Sequence, residues 1–312
     1  MARLNISIPR DVYEATKKWR GTRNLSQICA TALRQELEAA DSARTSQGLK
    51  ALLRRKSREE EDLARTFRLV DACVVDSPRE LADLRSALGH GGAEYLNRWL
   101  CDEARIAIAG GRQIWEVVRQ LSPRSIRIGI TALGVAQNDP RVLHVHPNTL
   151  TTILWLLYSP SATAQLVPTP NQGSLWPDNQ PSAARPLYFV LSSCSPFLPN
   201  SPFATLLGDE IRGRLLDRGV SGDFAYIFFS TEGQVVEFPD IDPHAALGHS
   251  VLSARSLQRL TSRADARVIL VAGGKDKLGT MLNVFRHRLC NVLITDRDSA
   301  MALLNAKSSE DP

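Results

Sequence analysis

The sequence has 312 residues, of which 43% are hydrophobic and 23% charged, enough for one large core and a small accessory domain. The longest apolar runs are far shorter than the roughly 20 residues of a membrane-spanning helix, and residues 2–8 alternate in polarity, unlike a signal peptide. The net charge of +5 is uneven, because residues 1–58 hold 13 Lys and Arg against 5 Asp and Glu, and the remainder 25 against 28. We therefore expect a cytoplasmic protein with no membrane partner, and either a polyanion bound near the N-terminus or a solvated basic face.

The first forty residues predict a strand followed by two helices. Residues 3–8 alternate polar with apolar, which is typical of a strand with one buried face. The outward positions of this strand are Arg3, Asn5 and Ser7. Pro9 ends the strand, and after a helix over about residues 10–19 a break containing Asn24 precedes a second helix that begins near Ser26. A single short strand has two unpaired edges, so we expect it to pair with the same strand of a second chain.

This N-terminal segment resembles a known family of repressors. Within residues 3–39, the runs R-L-N-I-S-I-P and N-L-S-Q-I-C-A-T-A-L are similar to the ribbon-helix-helix proteins of the Arc, MetJ and CopG type. The resemblance implies a swapped two-stranded ribbon in the major groove of operator DNA, with Arg3, Asn5 and Ser7 contacting bases. It also implies a phosphate contact at Ser26, with Asn24 beside it in the DNA-binding set. A solvated strand face and a simple helix cap remain the alternative.

The following segment divides the chain into domains. The segment is rich in small, polar and basic residues, a composition that suits a flexible linker. Ser57-Arg58-Glu59-Glu60 has the spacing of a capping box that opens a new helix. We therefore predict a ribbon-helix-helix domain at 1–40, a linker at 41–56, a large domain at 57–307 and a polar tail at 308–312.

The large domain alternates short apolar strands with amphipathic helices, a pattern typical of an α/β fold with a mainly parallel sheet. The predicted strands are residues 72–75, 105–109, 125–130, 165–167, 187–191, 226–229, 267–272 and 292–295. The predicted helices include residues 113–121, 149–158, 203–218 and 278–286.

Three junctions after these strands are candidates for a ligand site. In the first, Gly110 and Gly111 allow a tight turn into a helix whose free N–H groups favour a phosphate, although close helix–strand packing also requires glycine. The second junction follows the strand at 125–130. In the third, Lys277 lies beside a helix start and could pair with an anion or lie in a solvated loop.

Several other classes of site are disfavoured. The sequence contains neither GxGxxG nor GxxxxGK[ST], so we expect no dinucleotide cofactor and no P-loop. His144 and His146 have no further ligand at a useful spacing, which favours surface or structural histidines over a metal site. The five cysteines are scattered without a CxxC pair, which favours buried free thiols.

Six segments in order over residues 61–304 resemble the SorC type of regulator. They are L-A-R-T-F-R-L-V-D-A-C-V-V (63–75), the turn G-G-R (110–112), P-N-T (147–149), the turn G-V-S-G-D (219–223), A-G-G-K-D-K (272–277) and N-V-L-I-T-D (291–296). The resemblance implies a Rossmann-like effector domain, related to sugar-phosphate isomerases and deaminases, that binds a phosphorylated sugar. The chain departs from this family at its N-terminus, where a helix-turn-helix is usual, within residues 168–186, and at Ser192-Ser193-Cys194, where a glycine pair is typical.

The same resemblance assigns roles to individual residues. The residues that would cradle the phosphate are Gly110, Gly111, Arg112 and Gln113. Thr131 and Gly134 would line the second loop, Asp223 would bind sugar hydroxyls, and Lys277 would reach a phosphate or a carbonyl. No catalytic residue and no metal ligand are assigned.

The leading hypothesis is therefore a nucleoid-associated, ligand-responsive transcription regulator, not an enzyme, that forms a dimer or tetramer. Its partners would be operator DNA, a phosphorylated sugar or similar anionic effector, and itself. Two alternatives stay open. One is a plasmid- or partition-type DNA-binding protein whose large domain is an oligomerisation scaffold. The other is an isomerase- or deaminase-like enzyme, for which Asp223 and Lys277 could serve as acid or base.

Overall fold

The computed structural model describes residues 56–134, 140–166, 187–197, 208–236 and 252–310. All of them belong to one compact unit that spans Lys56–Pro312. The predicted ribbon-helix-helix domain and nearly all of its linker lie outside the described residues. So do the predicted DNA contacts, which are Arg3, Asn5, Ser7, Asn24 and Ser26. Within the described ranges, no helix is long and apolar enough to cross a membrane.

The centre of the unit is a seven-stranded sheet in which every pair of neighbouring strands is parallel. Its strands are β1 (Asp71–Val75), β2 (Arg105–Ala109), β3 (Gly129–Leu133), β4 (Thr163–Gln165), β5 (Tyr188–Ser192), β9 (Ala266–Val271) and β10 (Val292–Asp296). They lie in the order β1-β10-β9-β5-β2-β3-β4. The prediction of an α/β domain with a mainly parallel sheet is confirmed.

A second, antiparallel sheet follows directly after β5. Its strands are β6 (Cys194–Pro196), β7 (Val220–Phe224) and β8 (Ile227–Ser230), with β7 in the middle. The sequence predicted only the last of these strands and treated residues 219–223 as a turn. Gly and Asp are poor strand formers, but β7 is paired along both edges, so its tertiary partners override the local propensity.

Eight α-helices are described. They are α1 (Arg58–Thr66), α2 (Leu81–Trp99), α3 (Arg112–Val118), α4 (Pro147–Tyr158), α5 (Gly208–Asp217), α6 (Ala254–Thr261), α7 (Leu278–Arg286) and α8 (Arg297–Glu310). The predicted capping box is confirmed at the start of α1. The Ser57 hydroxyl accepts from the Glu60 N–H at 3.2 Å, and the Glu60 carboxylate accepts from the Ser57 N–H at 2.9 Å.

The alternation of side chains along the strands builds a core on each face of the large sheet. In β2, Ile106 and Ile108 pack on one face with α2, α3 and α4, whereas Ala107 and Ala109 face the other. That second face is covered by α1, by α6, α7 and α8, and by the small sheet. Each isoleucine is fully buried, which stabilises the fold by roughly 1.5–3 kcal/mol per side chain.

The chain reverses its direction of travel across the large sheet between β2 and β5. From β2 it proceeds outward to β3 and β4, and from β5 it proceeds the opposite way to β9 and β10. In open α/β sheets, ligands bind at the carboxyl ends of strands at such a reversal. The topology therefore directs attention to the residues that follow β2 and β5.

Candidate functional site

Gly111 and Ser193 face each other across the carboxyl ends of β2 and β5; we call the space between them the β2–β5 crevice. Gly111 has φ +126°, a conformation that essentially only glycine adopts. A Cβ on Gly111 would lie 3.5 Å from the Ser193 hydroxyl oxygen. The Gly111 N–H donates to the Val145 carbonyl at 2.9 Å, so it is not one of the free N–H groups at the start of the helix.

The other three residues of the predicted phosphate cradle have three different surroundings. Gly110 is a packing glycine, because a Cβ there would lie 2.9 Å from the Val145 carbonyl oxygen and 2.8 Å from Pro147. Arg112 is exposed at the first position of α3. The buried Gln113 side chain donates to the Arg85 carbonyl of α2 at 3.0 Å, so it joins two helices and does not face the crevice.

The second predicted loop begins later than expected. The β3 strand was predicted at residues 125–130, but its pairing with β2 starts at Gly129. Thr131 consequently lies within β3, buried opposite Ala107, and does not line a loop.

Gly134 lies just beyond the end of β3 and is in contact with the small sheet. It has φ +132°, and a Cβ there would collide with the Tyr226 hydroxyl oxygen. Tyr226 belongs to the turn between β7 and β8, so this contact joins the hairpin to the carboxyl end of β3.

Asp223 and Lys277 interact electrostatically beyond the carboxyl end of β5. Asp223 lies in β7 opposite Ser195, and Lys277 follows β9. The Asp223 residue is partly exposed, but protein atoms surround its carboxyl group densely, and this desolvation raises its pKa from 3.8 to about 7. A hydrogen bond from the Tyr226 N–H and the nearby Lys277 ammonium act against that shift.

Cys194 lies beside the same pair of charges. Burial raises the pKa of its thiol to about 12, and the Lys277 ammonium opposes the rise.

Lys277 and Gly111 follow strands separated by β5, so their turns are about two strand spacings, roughly 10 Å, apart. This span suits a small ligand with an anionic group.

Asp223 predicts a specific dependence of stability on pH. Below pH 3.8 both the folded and unfolded states hold the proton, and between 3.8 and about 7 only the folded state does, so rising pH favours unfolding. We expect the free energy of unfolding to fall more steeply over this window in wild type than in Asp223→Asn. Urea denaturation at several pH values measures this free energy of unfolding. Asp217→Asn, at the exposed end of α5, is the control, and equal slopes for wild type and Asp223→Asn would contradict the prediction.

Asp296, which ends β10, was not assigned a role from the sequence. Its buried carboxylate accepts hydrogen bonds from the Ser77 hydroxyl at 3.0 Å, the Gly274 N–H at 3.2 Å and the Ser299 N–H at 3.1 Å. It therefore joins the loop after β1, the loop that leads to Lys277, and the start of α8. The available signal was a carboxylate directly after the apolar run 292–294, where a buried charge requires partners.

Replacing Asp296 should destabilise the domain strongly. Asp296→Ala removes a charged acceptor from three donors, which should lower the free energy of unfolding by roughly 2–4 kcal/mol. Chemical denaturation measures the loss. The neighbouring Asp298→Ala is the matched control, because that side chain is exposed, and a comparable loss there would show that Asp296 has no special role.

The two histidines have structural surroundings. The buried His146 ring caps α4 by accepting the Asn148 N–H at 3.1 Å, and His144 meets the Trp115 ring edge-on. Among the described residues no group of three or more His, Cys, Asp or Glu could hold a metal ion. Of the four described cysteines, Cys73, Cys194 and Cys290 are buried free thiols as predicted, whereas Cys101 is exposed.

The fold and the crevice define a doubly wound α/β ligand-binding domain. The family model described as "Putative sugar-binding domain" matches residues 53–152 and 203–305. The chain belongs to this family of sugar-binding domains. A comparison with curated proteins found no match.

Solved structures share the fold. The full-length sorbitol operon regulator SorC from Klebsiella pneumoniae is 22% identical, with 79% of this chain and 80% of that chain covered at a TM-score of 0.59. A transcriptional regulator from Streptococcus pneumoniae is 17% identical (80% and 96% covered, TM-score 0.59). A DeoR family transcriptional regulator from Listeria monocytogenes is 14% identical (78% and 98% covered, TM-score 0.58). At these identities the likeness shows the fold.

Proposed function

We propose that this protein is a transcription regulator whose sugar-binding domain senses a phosphorylated sugar in the β2–β5 crevice. The observation that carries the proposal is the pairing of Gly111, which has φ +126° and no side chain, with the Ser193 hydroxyl at the reversal point of the sheet, where open α/β sheets bind ligands. Membership of the sugar-binding family and the regulators that share the fold support the same assignment.

The charges around the crevice support an anionic ligand that also carries hydroxyl groups. Arg112 at the start of α3 would meet the phosphate, and Lys277, across β5, would pair with a second oxygen of the ligand. Asp223 would accept hydrogen bonds from sugar hydroxyls, since its carboxyl group lies beside Lys277. Gln113 and Thr131 are left out of this site, because both side chains are committed to the core.

The N-terminal residues 1–40 complete the proposal as a ribbon-helix-helix module that binds operator DNA as part of a dimer or tetramer. Support comes from the excess of basic residues in 1–58, from the strand–Pro–helix pattern, and from the resemblance of Arg3, Asn5, Ser7 and Ser26 to the base and phosphate contacts of that family.

A thermal-shift screen tests the sensing function. The probes are fructose 6-phosphate, glucose 6-phosphate and ribose 5-phosphate, each compared with the same sugar without its phosphate. A ligand at 100 times its Kd should add about 2.7 kcal/mol of stability, and only the phosphorylated form should do so. Lys277→Ala should weaken the effect, since a charge-assisted contact contributes roughly 1.5–3 kcal/mol. A screen in which phosphorylated and free sugars stabilise the protein equally would refute the proposed effector class.

One observation supports a second candidate function, an isomerase- or deaminase-like enzyme. A carboxyl group with a pKa of about 7 beside a lysine is suited to proton transfer at neutral pH. Turnover of a sugar phosphate that stops in Asp223→Asn would establish this function in place of the sensor.

A further inference from the structure

The turn between β7 and β8 consists of two residues with positive φ. Ala225 has φ +51° and Tyr226 φ +68°. Two-residue hairpin turns of this kind normally contain glycine, asparagine or aspartate, because a bulky side chain is strained there. Strained residues persist where the surrounding structure holds them, and they concentrate at functional sites. Formation of the hairpin alone therefore does not explain a tyrosine at position 226.

Tyr226 contacts two elements at the edge of the β2–β5 crevice. Its backbone N–H donates to the Asp223 carboxyl group, and its hydroxyl lies against Gly134 at the end of β3. The preceding Ala225 is buried in the same apolar cluster as Ala109 and Leu133, the last residues of β2 and β3. The turn thus reaches from the Asp223 side of the crevice to the carboxyl end of β3.

This placement makes Tyr226 the boundary of the β2–β5 crevice on the side of β3. Along the carboxyl edge of the sheet, the ends of β9, β5 and β2 span about 10 Å between the Lys277 turn and the Gly111 turn. The next strand is β3, and there the Tyr226 hydroxyl occupies the position in front of Gly134, where even a Cβ would not fit. The Tyr226 side chain therefore occupies the sheet edge one strand spacing, about 5 Å, beyond the Gly111 turn.

We propose that Tyr226 is a specificity-determining residue that limits the crevice to a single phosphorylated sugar ring and excludes phosphorylated disaccharides. A second ring requires room of the order of one further strand spacing, and that room is what the phenol fills. The inference rests on the proposed sensing of a phosphorylated sugar and adds the size of the ligand to it.

Two matched pairs of probes test the size limit by calorimetry on the full chain. Glucose 6-phosphate is compared with trehalose 6-phosphate, and fructose 6-phosphate with sucrose 6-phosphate. Wild type should prefer the monosaccharide of at least one pair by about tenfold or more, the scale of steric discrimination in binding pockets. Tyr226→Gly should reduce that preference to within about threefold. Glycine suits the positive φ at this position, so the variant should fold.

Further variants separate the size limit from general damage. Tyr226→Phe keeps the ring and should retain the preference, because the ring fills most of the space. Tyr188→Ala removes a partly buried tyrosine from the opposite, amino end of β5 and should change neither affinity. If Tyr226→Gly does not fold, Tyr226→Asn replaces it, since asparagine tolerates positive φ.

The outcomes are distinct. If no phosphorylated sugar binds to wild type, the proposed function fails and the inference fails with it. If a monosaccharide phosphate binds but wild type accepts disaccharides equally, or Tyr226→Gly keeps the full preference, then the sensing function stands and Tyr226 is not its size determinant.

Discussion

Gly111→Asp should abolish binding of a phosphorylated sugar while leaving operator binding intact. The new side chain would point at Ser193 across the β2–β5 crevice and would bring a negative charge to the place proposed for a phosphate. We expect a loss of at least a hundredfold in affinity, because the substitution combines steric exclusion with repulsion between like charges. Calorimetry with the sugar phosphate and a gel shift with operator DNA measure the two affinities.

The same substitution carries a cost in stability that must be separated from its effect on binding. Gly111 has φ +126°, so any other residue there is strained by roughly 1–3 kcal/mol. Gly213→Asp, in α5, adds the same side chain where nothing lies within 4 Å, and should retain ligand binding. If a folded Gly111→Asp protein binds the sugar phosphate with wild-type affinity, the ligand occupies another part of the domain.

The second large effect concerns DNA. The full chain should bind DNA with a steep dependence on salt, because residues 1–58 carry 13 Lys and Arg against 5 Asp and Glu. Contacts to about 6 phosphates give a log–log slope near −5, which corresponds to about a thousandfold loss of affinity between roughly 50 and 200 mM salt. Binding that does not change with salt would remove the basis for a polyanion partner.

Substitutions in the same segment distinguish base contacts from phosphate contacts. Asn5→Ala should flatten the preference among operator sequences by roughly 1–3 kcal/mol, whereas Ser26→Ala should weaken all sequences alike. Discrimination that survives Asn5→Ala would show that the strand does not contact the bases.

The sequence predicted best those elements whose signal is local. The strand at 105–109 was located correctly because its apolar residues are buried on both faces, as expected for the interior of a parallel sheet. The start of α1 was located from four residues, since a capping box is satisfied within a single turn. Pairing partners carry no such signal, which is why β3 was placed four residues early and β7 was taken for a turn.

The candidate site residues divide in the same way, into those that a local pattern identifies and those whose role depends on the fold. Gly111 and Lys277 could be selected because glycine pairs and cations at helix starts are visible as residue types. The direction of a side chain is not visible, so Gln113 and Thr131 were included although Gln113 bonds to α2 and Thr131 is buried within β3. Tyr226 was missed because nothing in the sequence indicates a positive φ at a tyrosine, and Ser193 because its position opposite Gly111 depends on the order of strands.

The neighbouring positions of β1 and β10 affect how the domain can be made in the cell. Asp71 pairs with Val292, so the first of the described strands to be synthesised finds its partner in the described part of the large sheet only when β10 is made, close to the end of the chain. An unpaired strand edge is prone to join other chains, and nascent chains are most exposed to this risk. Glu60, only fourteen residues away, accepts the Val74 N–H of β1 at 2.9 Å. This bond coexists with the β1–β10 pairing, so helix α1 covers part of the outer edge of β1, which β10 leaves unpaired.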